Sequence, residues 1–164
     1  MSVRVLGSGL MGGKLGNLFA HAGHEVVFSY APSEQKLKRL AREAQGNARA
    51  GTRGEAARDA DALLLAVHWL RMDDVLQQAG DLSGKVIVTC SLPMNADNTD
   101  LVLAHTSSGT EALAKRAPRA RIVSAFNTVP TKCFLASSRP GARPPDRASC
   151  TAGTTRAANG LPPS

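Results

Sequence analysis

The chain has 164 residues, enough for one domain with a hydrophobic core and too few for two full-sized ones. Apolar residues make up 43 % and aromatic residues only 4 %, so the core should be mainly aliphatic. The formal charge of +7 would suit nucleic-acid binding, but four of the 20 basic residues lie in residues 137–164 and the others are dispersed without interleaved aromatic residues. We therefore expect no nucleic-acid partner.

The cysteines and the apolar runs bear on the cellular setting. Cys90, Cys133 and Cys150 are odd in number and widely spaced, which encodes neither a disulfide framework nor a metal-binding motif. We find no run of 18 apolar residues and no signal-peptide pattern at the N-terminus. We expect a cytoplasmic protein without a membrane span.

The first fifty residues alternate between strand and helix patterns. Residues 3–6 form a short apolar run closed by glycine, which predicts a buried strand, and residues 10–22 carry apolar side chains at helical spacing. Residues 25–29 predict a second strand, after which Ser33 is a plausible N-cap for a second helix. Residues 48–50 are a candidate third strand.

The same alternation continues to about residue 125. Aliphatic runs predict further strands and amphipathic stretches predict helices, in the order strand 61–67, helix 71–79, strand 85–89, helix 108–117 and strand 121–125. Ser108 and Glu111 form a capping-box pattern at the start of the last helix. Strands with continuous apolar runs should be buried on both faces. The pattern predicts an α/β fold, a Rossmann-like doubly wound parallel sheet.

The composition changes after about residue 135. Residues 137–164 contain five of the nine prolines and four arginines, but only one large aliphatic residue, Leu161. Such a segment cannot bury enough apolar surface to fold alone. We predict a dinucleotide-binding domain over residues 1–135 and a disordered tail over residues 136–164.

A glycine motif joins the first strand to the first helix. It runs Gly7, Ser8, Gly9, Leu10, Met11, Gly12 and matches G-x-G-x-x-G. Gly7 would make the tight turn, Gly9 would let a pyrophosphate approach the backbone, and Gly12 would allow close helix packing. An incidental glycine-rich turn is the alternative, but the strand-turn-helix context favours a dinucleotide site with phosphates at the helix N-terminus.

The end of the second strand bears on the choice between NAD and NADP. An NAD-selective domain has a carboxylate there, about 20 residues after the glycines. Here the position is Ser29, and Ser33, Lys36 and Arg53 are further candidates for binding a 2′-phosphate. NADP is therefore favoured, although Ser33 also fits a simple helix cap and Lys36 a solvated helix face.

Polar or aromatic groups follow three of the later predicted strands. They occur in residues 67–69, 90–95 and 126–130, and the carboxyl ends of parallel strands converge on the ligand crevice. We find no catalytic triad pattern, paired carboxylates or metal-ligand spacing with them. Hydride transfer, which depends mainly on positioning, fits such a site.

Together these segments resemble the dinucleotide-binding domain of coenzyme F420 (deazaflavin)-dependent NADP oxidoreductases. That group is in turn similar to the reductase domain of STEAP metalloreductases and, more distantly, to pyrroline-5-carboxylate reductase. The resemblance covers residues 3–135 and is carried by residues 7–12, 23–27, 66–69 and 124–130.

The resemblance implies that NADP(H) exchanges hydride directly with a deazaflavin or flavin, with no catalytic acid or base and no metal. It implies contacts from Gly7–Gly12 to the pyrophosphate and from Ser29 and its neighbours to the 2′-phosphate. The other implied contacts are Val67, His68 and Trp69 at the nicotinamide, Ser91 and Pro93 beside it, and Leu92, Asn127 and Thr128 at the second redox partner.

Two features depart from the family pattern. Family members commonly have an arginine just after the second-strand serine, where this chain has Ala31 and Pro32. They also continue into a small C-terminal portion that often forms a dimer, where this chain has its Pro/Arg-rich tail. Two hypotheses stay open: a reductase with a small-molecule redox partner and a homodimeric state, or a non-catalytic NADP(H)-binding module that acts as a sensor or interaction partner.

Overall fold

A computed structural model describes residues 1–52, 60–103, 107–129 and 134. Residues Met1–Asn127 form one compact unit, and the chain from Thr128 onwards belongs to a second unit. The predicted domain boundary at residue 135, the predicted tail over residues 136–164 and Arg53 lie outside the described residues.

The first unit is built around one parallel sheet with the strand order β3-β2-β1-β4-β5-β6. The strands are β1 (Ser2–Leu6), β2 (Glu25–Ser29), β3 (Ala48–Ala50), β4 (Ala62–Leu65), β5 (Val86–Thr89) and β6 (Arg121–Ser124). The helices are α1 (Leu10–His21), α2 (Glu34–Ala44), α3 (Met72–Ala79) and α4 (Gly109–Arg116), and a 3₁₀ turn at Trp69–Arg71 precedes α3. This order confirms the predicted doubly wound sheet and puts its topological switch point between β1 and β4. Of the helices described, none combines the length and apolar character needed to cross a membrane.

The predicted elements are confirmed, with ends displaced by at most two residues. The Ser33 hydroxyl caps α2 by accepting a hydrogen bond from the Lys36 N–H at 3.3 Å. At α4, the Ser108 hydroxyl accepts from the Glu111 N–H while the Glu111 carboxylate accepts from the Ser108 N–H, which is the predicted capping box. Local hydrogen bonding therefore sets where both helices begin.

The central strands bury side chains on both faces of the sheet. On one face, Val5 lies in register between Phe28 and Leu64, and on the other Leu6 lies beside Leu65. All five side chains are at most 2 % exposed. Helices α1 and α2 contact each other and the β1–β3 side of the sheet, whereas α3 and α4 enclose the core that contains Leu6 and Leu65.

Strand β6 differs from the expectation of burial on both faces. Arg121, Val123 and Ser124 are exposed, and the relative solvent accessibility of Val123 is 46 %. In the described sheet, β6 is an edge strand that pairs only with β5. The prediction was wrong for this strand because an apolar run does not reveal whether a strand is central or at an edge.

Helix α1 packs on the sheet through small residues. A Cβ atom at Gly16 would lie 2.3 Å from the Phe28 ring, and one at Gly13 would lie 3.0 Å from a methyl group of Leu40. Gly16 has no room for a side chain, and a side chain at Gly13 would require Leu40 to shift, so α1 can lie close against β2 and α2. This packing fixes the direction in which the start of α1 faces.

We predict that Gly16→Ala destabilises the protein. Alanine in a helix interior normally gains about 1 kcal/mol over glycine, but overpacking against Phe28 should cost about 3 kcal/mol, giving a net loss of about 2 kcal/mol in the free energy of unfolding. Urea denaturation measures this. Gly9→Ala, which adds its methyl group where no atom lies within 4 Å, is the control and should be much milder. A more stable Gly16→Ala protein would contradict the packing described.

An ion pair between a buried arginine and a half-exposed glutamate joins β1 and β2. Arg4 is only 3 % exposed, and its Nη1 lies 2.9 Å from Oε1 of Glu25. The Arg4 Nε is also buried and has no hydrogen-bond partner among the described residues. The Arg4 guanidinium holds the pKa of the Glu25 carboxyl below its ordinary value of 4.5. Glu25 therefore compensates a charge that β1 would otherwise bury alone.

We predict that Glu25→Gln lowers the free energy of unfolding near neutral pH by about 1–2 kcal/mol, because it leaves Arg4 uncompensated while solvent screens part of the pair. Since folding lowers the pKa of Glu25, this stabilisation is present above pH 4.5 and is lost as pH falls through the lowered value. Urea denaturation at several pH values should show the two proteins converging in acid. Glu34→Gln, which removes the exposed partner of Lys38, should have little effect. A deficit that persists unchanged in strong acid would contradict the role of the Glu25 charge.

Candidate functional site

The turn after β1 lies at the switch point of the sheet. Gly7 has φ +108°, and a Cβ atom there would lie 2.4 Å from the Ala66 carbonyl oxygen. Its N–H donates to the Ser29 carbonyl at 3.1 Å. The turn is thus in contact with the chain that leaves β2 and β4, and only glycine fits this position.

Helix α1 begins directly on that turn. A Cβ atom at Gly12 would lie 1.8 Å from the Gly7 carbonyl oxygen, whereas one at Gly9 would meet nothing within 4 Å. Gly9 is the N-cap, no side chain caps the helix, and its first turn contains no acidic residue. Leu10 is 69 % exposed and Met11 is half-buried. The amino end of α1 therefore faces open space with N–H donors and a partial positive charge, which suits a pyrophosphate.

Ser8 stabilises the turn from the inside. Its side chain is buried, its hydroxyl donates to the Ser29 carbonyl at 3.1 Å, and its N–H donates to the Tyr30 carbonyl at 3.1 Å. The predicted phosphate contact of Ser8 therefore cannot come from a solvent-facing hydroxyl in this arrangement. Its hydrogen bonds instead hold the glycine turn against β2.

The residues predicted for the 2′-phosphate lie in different environments. Ser29 is fully buried, and its hydroxyl donates to the Val5 carbonyl at 3.1 Å, which argues against direct contact with a ligand. Ser33 is exposed as the N-cap of α2, and Lys36 is half-buried in its first turn. The structure keeps Ser33 and Lys36 near the end of β2 and turns Ser29 into the sheet.

The segment after β4 contains two rings in different environments: the Trp69 ring packs in the core, and the His68 ring connects this segment to the loop that contains Asn98. Trp69 is 6 % exposed, packs with the core of α3 and α4, and has the Arg116 guanidinium 4.8 Å from its ring centroid. His68 accepts from the Leu70 N–H through Nδ1, and its Nε2 lies 3.0 Å from Oδ1 of Asn98. Val67 and His68 stay at the crevice, half-buried, but the expected nicotinamide contact of Trp69 conflicts with its place in the core.

A cavity of about 520 Å³ opens at the carboxyl ends of β5 and β6. It brings together Ser91, Leu92, Pro93 and Asn127, four of the predicted residues. The Ser91 hydroxyl donates to the Val67 carbonyl at 2.6 Å, which connects the wall of the cavity to the loop after β4. Thr128, the other residue predicted for the second redox partner, is exposed and belongs to the second unit.

The lining of this cavity is apolar or carries neutral hydrogen-bonding groups. Its apolar side chains include Leu101 and Leu103, and its polar ones are serine and threonine hydroxyls and the Asn127 amide. Among the described residues that line it, none is ionisable. Just outside, burial raises the pKa of the Cys90 thiol, which keeps it protonated and unreactive near neutral pH. The described part of the lining suits a neutral ring better than an anion.

Two residues near the crevice were missed at the sequence level. Tyr30 follows β2 with φ +59°, and Arg71 ends the 3₁₀ turn after β4, with its Nε–H donating to the Tyr30 hydroxyl at 3.1 Å. No local pattern predicts a left-handed tyrosine, and the contact joins residues 41 positions apart. Only the folded sheet brings them together.

Comparisons with known proteins agree with this arrangement. The family described as NADP oxidoreductase coenzyme F420-dependent matches residues 2–93, more than half of the chain. A protein named as an F420-dependent NADP-reductase from Arthrobacter sp. FB24 superposes with a TM-score of 0.73 at 21 % identity, over 95 % of this chain and 79 % of its own. A hypothetical protein from Sinorhizobium meliloti gives 0.73 at 22 %, over 91 % and 69 %. A reductive aminase from Aspergillus terreus, in complex with NADPH and ethyl-5-oxohexanoate, gives 0.55 at 20 %, over 75 % and 39 %. These structural likenesses establish the fold.

We predict that Gly9→Glu weakens NADPH binding at least about tenfold, because it puts a carboxylate in the space open to a pyrophosphate at the start of α1. The fold should persist, since no protein atom lies within 4 Å of the new Cβ. Fluorescence titration measures affinity and a thermal melt measures folding. Gln77→Glu, which adds the same charge at an exposed site on α3, should bind like the wild type. Unchanged binding by Gly9→Glu would disprove the phosphate site.

Proposed function

We propose that this chain, which belongs to the family of coenzyme F420-dependent NADP oxidoreductases, transfers hydride between NADP(H) and a deazaflavin or flavin. The chain is accordingly an NADP-binding oxidoreductase by family. The identity of the second redox partner is the part that we propose.

The observation that carries the proposal is the open, uncapped start of α1 at the switch point. A Cβ atom at Gly7 would collide with the Ala66 carbonyl and one at Gly12 with the Gly7 carbonyl, while Gly9 borders empty space. A dinucleotide needs this combination, because its pyrophosphate must reach backbone N–H groups without meeting a Cβ atom. The residues present therefore fit NADP(H).

Each part of the crevice has a separate task in this proposal. The N–H groups at the start of α1 would hold the pyrophosphate, and the half-buried Val67 and His68 would border the nicotinamide end. Ser91 would keep the two sides of the crevice in register through its hydrogen bond to Val67. The cavity beyond, with Leu92, Pro93 and Asn127, would receive the acceptor ring.

When bound, NADPH would supply a hydride, and reduction of the acceptor would need one further proton from solvent to balance the charge. The chain would contribute by holding the two rings in contact and by surrounding them with apolar side chains that exclude water. Because positioning carries the reaction, we assign no side chain as a catalytic acid or base.

Hydride transfer is tested by mixing the purified chain with NADPH and a deazaflavin, and in parallel with FMN. We expect the nicotinamide absorbance to fall in proportion to the acceptor reduced, and Gly9→Glu to abolish this activity. Gln77→Glu should retain it, since that residue lies away from the crevice.

The outcomes separate the two hypotheses. If the chain binds NADPH but oxidises none with either acceptor, the hydride-transfer proposal is wrong and a non-catalytic NADP(H)-binding module becomes the better account. If it does not bind NADPH at all, both are wrong. The cytoplasmic location and the homodimer expected from the sequence stay predictions.

A further inference from the structure

Three side chains bridge the carboxyl ends of β2 and β4. The Tyr30 hydroxyl donates to Oδ2 of Asp74 at 2.5 Å and accepts from the Arg71 Nε–H at 3.1 Å. Arg71 and Asp74 also form an ion pair of 3.5 Å, and Gln78 donates to Asp74 from the next turn of α3. Tyr30 follows β2, whereas the other residues follow β4.

This bridge lies at the end of β2. In doubly wound folds the end of β2 approaches the ribose 2′ position of a bound dinucleotide, and in NADP-binding domains a nearby arginine accommodates the 2′-phosphate. Here Ala31 and Pro32 follow Tyr30, and neither carries charge. The Ser29 hydroxyl is buried and hydrogen-bonded to Val5.

Arg71 brings a guanidinium to this place from another element. Its side chain is 65 % exposed, so a ligand can reach it, and the hydrogen bond to Tyr30 restricts its position. A guanidinium has five N–H donors, and those not used by Tyr30 and Asp74 remain to bind phosphate oxygens in fork geometry. Pre-positioning by Tyr30 lowers the entropy lost when a phosphate binds.

We propose that Arg71 binds the 2′-phosphate of NADP(H), with Tyr30 as its positioning residue, and that this contact makes the chain prefer NADP(H) to NAD(H). The inference rests on the proposed NADP(H)-binding function and names the residue that selects the coenzyme. Asp74 limits the preference, because its carboxylate offsets part of the positive charge of Arg71. The hydrogen bonds from Tyr30 and Gln78 hold that carboxylate in place.

The test compares NADPH and NADH affinities by fluorescence titration of the full chain. Arg71→Gln should weaken NADPH binding about tenfold and NADH binding less than about twofold, because only NADPH carries the 2′-phosphate. Arg71→Lys should retain part of the preference, since it keeps the charge without the fork. Arg119→Gln is the control: it removes the same charge from a side chain that is 80 % exposed at the amino end of β6.

Tyr30→Phe tests the positioning role separately. It keeps the ring and removes the hydroxyl that accepts from Arg71, so we expect about threefold weaker NADPH binding and unchanged NADH binding. It also keeps the inference testable if Arg71→Gln does not fold, which a thermal melt will show.

The results distinguish this inference from the function on which it rests. A wild-type chain that binds NADPH, with Arg71→Gln either unaffected or equally impaired for both coenzymes, would overturn the role of Arg71 and leave NADP(H) binding intact. A wild-type chain that binds neither coenzyme would overturn both.

Discussion

A Cβ atom at Gly12 would lie only 1.8 Å from the Gly7 carbonyl oxygen, so the two backbones can approach this closely only because residue 12 is glycine. This contact puts the first turn of α1 directly against the turn after β1, so the N–H groups at the start of the helix face the crevice between β1 and β4. Gly16 extends the same close packing to Phe28 and fixes the helix on β2. If α1 stood further from the sheet, its amino end would no longer face the switch point, and phosphate binding would lose its geometric basis.

Around this contact, the crevice divides into regions of different chemistry. The glycine turn offers backbone donors and open space, the Tyr30–Arg71–Asp74 bridge offers charge, and the cavity beyond Ser91 offers apolar walls with neutral hydroxyls. In the proposed function, the adenosine end of the dinucleotide would lie at this bridge, its pyrophosphate at the glycine turn and its nicotinamide end near Val67 and His68. The cavity would then be left for the acceptor ring.

Sequence patterns predicted what depends on local forces. Apolar runs located the strands, and the capping residues Ser33 and Ser108 located two helix starts, because both signals are contained within a few neighbouring residues. The direction in which single side chains point could not be predicted from these local patterns. Ser29 turned inward and Trp69 joined the core, since both depend on strand register and on helices distant in sequence. Arg71 reaches the end of β2 only through tertiary structure, so its position in the sequence did not predict its contact with Tyr30.

The most direct test of the central claim is to follow backbone amide resonances by NMR as NADPH is added. Pyrophosphate binding at the start of α1 predicts that the largest shifts occur at the amides of Gly9, Leu10 and Met11. Smaller shifts should occur near Val67, and little change should occur near Arg119, which lies at the amino end of β6. Saturable binding that leaves the amides of residues 9–12 unmoved, or shifts confined to another surface, would contradict the account.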